Sequence, residues 1–184
     1  MKNFICEPKD INIAELLANR SVVVGLDIGD KTIGVAVSDK RIRIASGITT
    51  ITRNGSEKDF IKLKESVKNY NVGCIIFGWP VQMNGKPGPQ CEKILEFAKK
   101  LKNYFENIPF SYWDERLSTC AVTNVLLKAD LSRKKRKKVV DKSASIYILQ
   151  SALDFLNKNR TQISDVSETP VSKENELSPI SNIE

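Results

Sequence analysis

The chain has 184 residues, 41% of them hydrophobic and 28% charged, enough for one domain with a substantial core and short for two. It contains no histidine, which excludes Ser-His-Asp triads, imidazole bases and His-ligated zinc sites. No apolar run approaches the roughly 20 residues needed to cross a bilayer. The N-terminus "MKNFICEPKDINIAEL" lacks a signal-peptide pattern, so a cytoplasmic, soluble protein without membrane contact is expected. Cys6, Cys74, Cys91 and Cys120 are widely spaced, as core cysteines of a reducing compartment would be.

The net charge of +7 is unevenly spread. The last 24 residues hold five acids and one lysine, a charge of −4, so residues 1–160 carry +11. A basic body of this kind favours polyanionic partners such as nucleic acid.

In chain order, residues 1–20 form an N-terminal extension with a short helical pattern at Ile11, Ile13, Leu16 and Leu17. "SVVVGLDI" (21–28) and "TIGVAVS" (32–38) are β-branched runs joined by the turn-like "GDKT", which predicts a hairpin. "IASGITTI" (44–51) predicts a third strand. "SEKDFIKLKESVKNY" (56–70) has a helical stripe of Phe60, Ile61, Leu63 and Val67, with Ser56 as its N-cap. "GCIIFGW" (73–79) reads as a short buried strand. "GPQCEKILEFAKKLKNYF" (88–105) reads as a helix with Pro89 in its first turn and Ile94, Leu95, Ala98 and Leu101 inward. "PFSYW" (109–113) is a fifth strand, and helices are expected at about 118–128 and 139–157. The tail from 159 to 184 is Ser-, Glu- and Pro-rich without hydrophobic period, the composition of a disordered segment. Three antiparallel strands followed by two parallel ones imply an α/β fold, a five-stranded mixed sheet flanked by helices over residues 21–158.

Three acids stand out within this frame. Asp27 lies in an otherwise apolar strand, and alternation puts it on one face with Val23, Gly25 and Gly29. Two glycine neighbours would leave open space beside its carboxylate; a turn-starting role is the alternative. Asp114 and Glu115 end the fifth strand, where ligands gather in open α/β sheets, and Arg116 adds a fork of donors; taken alone, the cluster reads more readily as a charged loop before a Ser118 helix cap. Asp141 falls on the helical stripe of Ala144, Ser145, Ile148, Ala152 and Phe155. Acids converging in a pocket require a cation, and oxygen-only donors favour Mg²⁺ or Mn²⁺.

The blocks "GLDIGDKTIGVAVSD", "GWPVQMNGKPGPQ", "DERLST" and "LSRKKRKKVVDKSASIYILQSALD" resemble, in order, the signature blocks of the YqgF/RuvX family, from about Val22 to Leu156. The resemblance implies a ribonuclease H-like fold and a bacterial, cytoplasmic nuclease. The family was first described as a Holliday-junction-resolvase homologue and later linked to processing of the 5′ end of the small-subunit rRNA precursor. Its acid triad maps onto Asp27, Glu115 and Asp141 as catalytic and metal-binding residues.

Lys31, Arg116, Lys142 and the run Arg133, Lys134, Lys135, Arg136 and Lys137 are the expected nucleic-acid contacts. Trp79 either stacks on a base or belongs to the core. The reading is therefore a metal-dependent nuclease acting on an rRNA precursor or on branched DNA, as a monomer or weak homodimer. An ATP-hydrolysing or sugar-phosphorylating enzyme and a non-catalytic RNA-binding assembly factor are the competing functions.

Overall fold

Seven residues from Val22 to Ile28, rich in β-branched side chains, form the strand around which the molecule is arranged. A computed structural model of the protein describes residues 5–81, 87–114 and 144–159. Its strands are β1 (Ile5–Cys6), β2 (Val22–Ile28), β3 (Thr32–Ser38), β4 (Ala45–Thr52), β5 (Val72–Trp79) and β6 (Phe110–Asp114). Among the helices, α1 covers Ile13–Ala18, α2 Ser56–Val67 and α3 Pro89–Leu101. A fourth, α4, is described over residues 144–159.

The sheet runs β1-β6-β5-β2-β3-β4. The pairs β2/β3 and β3/β4 are antiparallel, whereas β2/β5 and β5/β6 are parallel. This is the mixed α/β sheet flanked by helices expected from the sequence, with one correction: six strands are present where five were expected. The sixth is Ile5–Cys6, pairing parallel with Phe110 and Ser111 and tied by Ser111 Oγ donating to the Cys6 carbonyl at 3.0 Å. It satisfies backbone groups along the exposed edge of β6, and at two residues it is too short to display a period.

Alternation along β2 sorts its side chains into two cores. Val22, Val24, Leu26 and Ile28 pack with Phe60, Leu63 and Val67 of α2 and with Ile94, Phe97, Ala98 and Leu101 of α3. Val23 faces the other way, into a cluster with Ile76, Trp113 and Ile148, Leu149, Ala152, Leu153 and Leu156 of α4. Ile11 and Leu16 join that second cluster. The result is a helix–sheet–helix sandwich.

The helices depart from expectation in detail. Ile61 is exposed at 56%, and Phe155 lies at the margin of α4 at 36%. The buried centre of α4 is Ser145, Ile148, Leu149, Ala152, Leu153 and Leu156. The N-cap of α2 is Gly55, with φ of 114°, and Ser56 is the first helical residue. The helix expected at 118–128 lies outside the described residues, as does Cys120. Cys74 and Cys91 are buried, and burial pushes the Cys74 thiol well above its ordinary pKa, which removes it from thiolate chemistry.

Two contacts set the placement of α4. A Cβ on Gly25 would lie 2.7 Å from Leu149 Cβ and 3.2 Å from the Ser145 carbonyl, so the helix backbone approaches β2 closely because that residue is glycine. At the other end, Asn157 Nδ2 donates to the Ile42 carbonyl at 2.7 Å, and Gln150 Oε1 accepts from the Ala45 N–H at 2.9 Å. Ile42 and Ala45 lie at the β3–β4 turn, beside the start of β2, where Ser38 Oγ accepts from the Val23 N–H. α4 therefore runs antiparallel to β2, with its N-terminal end toward Asp27.

Gly25→Ala forces the sheet and α4 apart and is expected to cost about 1–3 kcal/mol, read as a lowered urea midpoint; an unchanged midpoint contradicts the close approach. A second expectation concerns the β3–β4 turn. Burial disfavours the charge on Asp39, but the N–H groups of Ile44, Arg43 and Arg41 outweigh it and hold the carboxyl below its ordinary pKa. Its Oδ1 accepts from Arg43 N at 2.7 Å and Ile44 N at 2.9 Å. The stabilisation is present above the unfolded value of about 3.9 and fades as pH falls through the lower native one. Asp39→Ala should thus lower Tm at neutral pH, and the gap from the unsubstituted chain should close under acid conditions; a pH-independent gap contradicts this.

Candidate active site

Asp27 is half-buried, one residue from the end of β2. Its cross-strand partner on β3 is Gly34. On the other side Leu26 pairs with Phe77, and the next residue of β5 is Gly78. With Gly25 and Gly29 along its own strand, the carboxylate stands in a collar of glycines, and no side chain of the neighbouring strand positions crowds it. The open space expected at Gly25 is not there, because Leu149 and the Ser145 backbone fill it. α4 forms a wall on this face, and toward the strand end a Cβ on Gly29 would meet the Thr32 carbonyl at 3.2 Å. Ser145, 1% exposed, has a buried Oγ without a hydrogen-bond partner among the described residues on this same face.

The turn after Asp27 is held at successive groups. Gly29 N–H donates to the Thr32 carbonyl at 2.9 Å, closing the hairpin. Gln90, in the first turn of α3, donates from Nε2 to the Ile28 carbonyl at 3.0 Å. Arg53, just past β4, donates from Nη1 to the Gly29 carbonyl at 2.8 Å, and its backbone N–H reaches the Lys31 carbonyl at 3.0 Å. Lys93 of α3 pairs with Asp30 at 2.9 Å. The hydrogen bond and charge of Lys93 lower the Asp30 pKa, although both side chains are exposed and screening leaves the pair little weight. None of Gln90, Arg53 and Lys93 was singled out in the sequence; the contacts join residues 24 to 63 positions apart.

At the end of β6, neighbouring side chains point to opposite faces. Trp113 joins the cluster under α4 and packs 5.5 Å from the Phe155 ring. Tyr112 lies 5.7 Å from Trp79, which packs against the core under α2 and α3. Trp79 is thus a half-buried packing residue. Asp114, paired with Trp79 across the strands, shares that face and so lies on the side of the sheet away from Asp27.

Of the residues expected at the site, Asp27 and Lys31 are described, and Lys31 is exposed in the turn beside Asp27. Glu115, Arg116, Arg133, Lys134, Lys135, Arg136, Lys137, Asp141 and Lys142 lie outside the described residues. In the chain Glu115 directly follows Asp114, and Asp141 precedes Ala144 by three positions. Among the described residues no group of three or more Asp, Glu, Cys or His side chains could hold a metal ion, and no helix is long and apolar enough to cross a membrane.

Comparison with known proteins bears on this geometry. A protein named "Putative pre-16S rRNA nuclease" from Thermoanaerobacter pseudethanolicus is 52% identical over 133 residues, covering 72% of this chain and 95% of the relative. A protein of the same name from Clostridium botulinum strain Hall is 52% identical over 136 residues, covering 74% and 98%. Among solved structures, T. thermophilus RuvC in complex with Holliday junction substrate is similar over 74% of this chain and 96% of that one, with 12% identity and a TM-score of 0.49. The model of the RuvX family, described as Holliday junction resolvase, matches residues 21–155. That span begins at the residue before β2 and ends within α4, so it takes in the Asp27 strand, its glycine collar and the helix packed on it. The chain belongs to the RuvX family.

Proposed function

We propose that this chain is a metal-dependent nuclease that hydrolyses phosphodiester bonds in the cytoplasm, with the 5′ end of a 16S rRNA precursor as its substrate. One observation carries the reading: a carboxylate at the end of the central strand, ringed by glycines, with a helix packed beside it whose N-terminal end points the same way. A phosphate backbone can approach such a carboxylate where it could not approach one surrounded by bulky side chains. The names of the relatives supply the substrate.

Three acids are assigned to the reaction. Asp27 is the central one. Of the adjacent acids Asp114, which ends β6, and Glu115, the second is chosen because Asp114 faces away from Asp27. Asp141 is the third, four positions before the buried Ser145. With no histidine in the chain, these donors are all hard oxygens, a set suited to Mg²⁺ or Mn²⁺. When bound, such an ion supplies positive charge for phosphate oxygens and lowers the pKa of water. The half-buried setting of Asp27 keeps its orientation fixed, and the ties on Ile28 and Gly29 limit motion of the strand end. Lys31, exposed in the next turn, is placed to neutralise a phosphate, and Arg116, Arg133, Lys134, Lys135, Arg136, Lys137 and Lys142 extend the basic track.

The family's description favours a second substrate, the four-way DNA junction. Resolving a junction requires paired cuts and hence two copies of the chain, whereas trimming an RNA end requires one. A weak homodimer fits the first and a monomer the second.

With Mg²⁺ present, the full chain should cleave a model rRNA precursor. Asp27→Asn should reduce cleavage by at least about a hundred-fold, the loss expected when charge is removed from a reaction centre, while retention of RNA on a native gel is unchanged. Undiminished cleavage by Asp27→Asn contradicts the assignment, and cleavage of a four-way junction in preference to the RNA would move the substrate to branched DNA. Separately, Lys31→Ala should weaken binding across sequences and reduce the slope of log affinity against log salt by about one; an unchanged slope removes Lys31 from the interface.

A further inference from the structure

Asp59, in the first turn of α2, has no exposed surface. Its Oδ1 accepts from the Asn54 N–H at 2.8 Å, while Oδ2 makes no hydrogen bond among the described residues and lies 3.6 Å from Arg53 Nε. A buried carboxylate is costly, and where only stability is served an apolar side chain of similar size does as well or better. What Asp59 supplies is a fixed negative charge 3.6 Å from one edge of the Arg53 guanidinium, whose plane is also confined by the Phe97 ring 5.5 Å away. The opposite edge is left aimed, through Nη1, at the Gly29 carbonyl 2.8 Å away. Gly29 is two residues from Asp27 and carries no side chain with which the turn could fix itself. The neighbouring carbonyl, that of Ile28, is taken by Gln90.

We propose that Arg53, oriented by buried Asp59, is a positioning residue for Asp27: it fixes the strand end on which the carboxylate sits and so sets the geometry of phosphodiester cleavage. The inference rests on the nuclease reading above. Its specific content is that one guanidinium faces two groups at once, Asp59 through Nε and the Gly29 carbonyl through Nη1, with donors spaced on a rigid plane that a single ammonium nitrogen does not offer. Arg53 and Asp59 line a cleft of about 490 Å³ between α2 and α3, together with Asp30, Gly55, Lys93 and Glu96. That cleft gives a small cation from solution access to the position the side chain would vacate.

The test compares the unsubstituted full chain with Asp27→Asn, Arg53→Ala and Arg53→Lys, using a model rRNA-precursor oligonucleotide and saturating Mg²⁺ well below each unfolding midpoint. Arg53→Ala should lower kcat by about ten- to a hundred-fold, the scale of a small misplacement of a reacting group, with KM and RNA retention unchanged. Millimolar guanidinium chloride should restore part of that kcat, and restore nothing in Asp27→Asn. A tie that merely joins β4 to α2 would lower the melting temperature and leave kcat alone. Should the alanine variant fail to fold, Arg53→Lys keeps a cation beside Asp59 without the fork, and a reduced kcat with unchanged KM supports the proposal. Full kcat in a folded Arg53→Ala or Arg53→Lys overturns it, as does a loss confined to KM, and either leaves the nuclease reading standing. An inactive unsubstituted chain, or an active Asp27→Asn, removes the nuclease reading and this inference with it.

Discussion

The close approach of α4 to β2 at Gly25 governs how the two sides of the sheet meet at the site. A side chain there would occupy the volume of Leu149 Cβ, so the glycine decides how near the helix lies to the central strand. Once that distance is set, Ile148, Leu149, Ala152, Leu153 and Leu156 close the second core against Val23 and Ile76, and the hydrogen bonds of Gln150 and Asn157 fix the helix along its length. The helix then runs toward the end of the strand that bears Asp27. Packing, rather than any local preference of the acid, places Asp27 beside the helix that follows Asp141 in the chain.

A carboxylate in that position is tolerable only if something solvates its charge. Asp27 is half-buried, which leaves part of its charge to water. The turn beyond it offers rigidity. Gln90 and Arg53 take the carbonyls of Ile28 and Gly29 from two different elements, α3 and the end of β4. The strand end is thereby coupled to both helices of the opposite layer.

Much of this was legible in the sequence, and the reasons differ from place to place. Five strands announce themselves by β-branched or aromatic runs bounded by turns, and the β2–β3 hairpin by "GDKT", because those signals are local. The strand Ile5–Cys6 has no such signal; it exists because β6 leaves an edge to be paired. Periodicity placed α2, α3 and α4 but misjudged faces: Ile61 and Phe155 fit a stripe on a helical wheel, yet Ile61 is exposed and Phe155 lies at the margin of the packed face. Asp27 was visible as a charge in an apolar run. Its glycine neighbours were visible too, but Gly25 serves helix packing rather than ligand access, a distinction that only the third dimension makes. Arg53, Asp59 and Gln90 were not visible as a set, since they meet through side chains far apart in the chain. The sequence order of the four family blocks carried the functional assignment further than the acids alone could.

The central claim is that Asp27, Glu115 and Asp141 converge on divalent metal. It is tested most directly by anomalous scattering from a crystal of the full chain soaked in Mn²⁺. The account predicts a Mn²⁺ peak at ordinary oxygen-ligand distance, about 2.1 Å, from Asp27 and from at least one of Glu115 and Asp141. A peak held by other residues, or an Asp27 carboxylate neutralised by a lysine or arginine with no peak beside it, would contradict it.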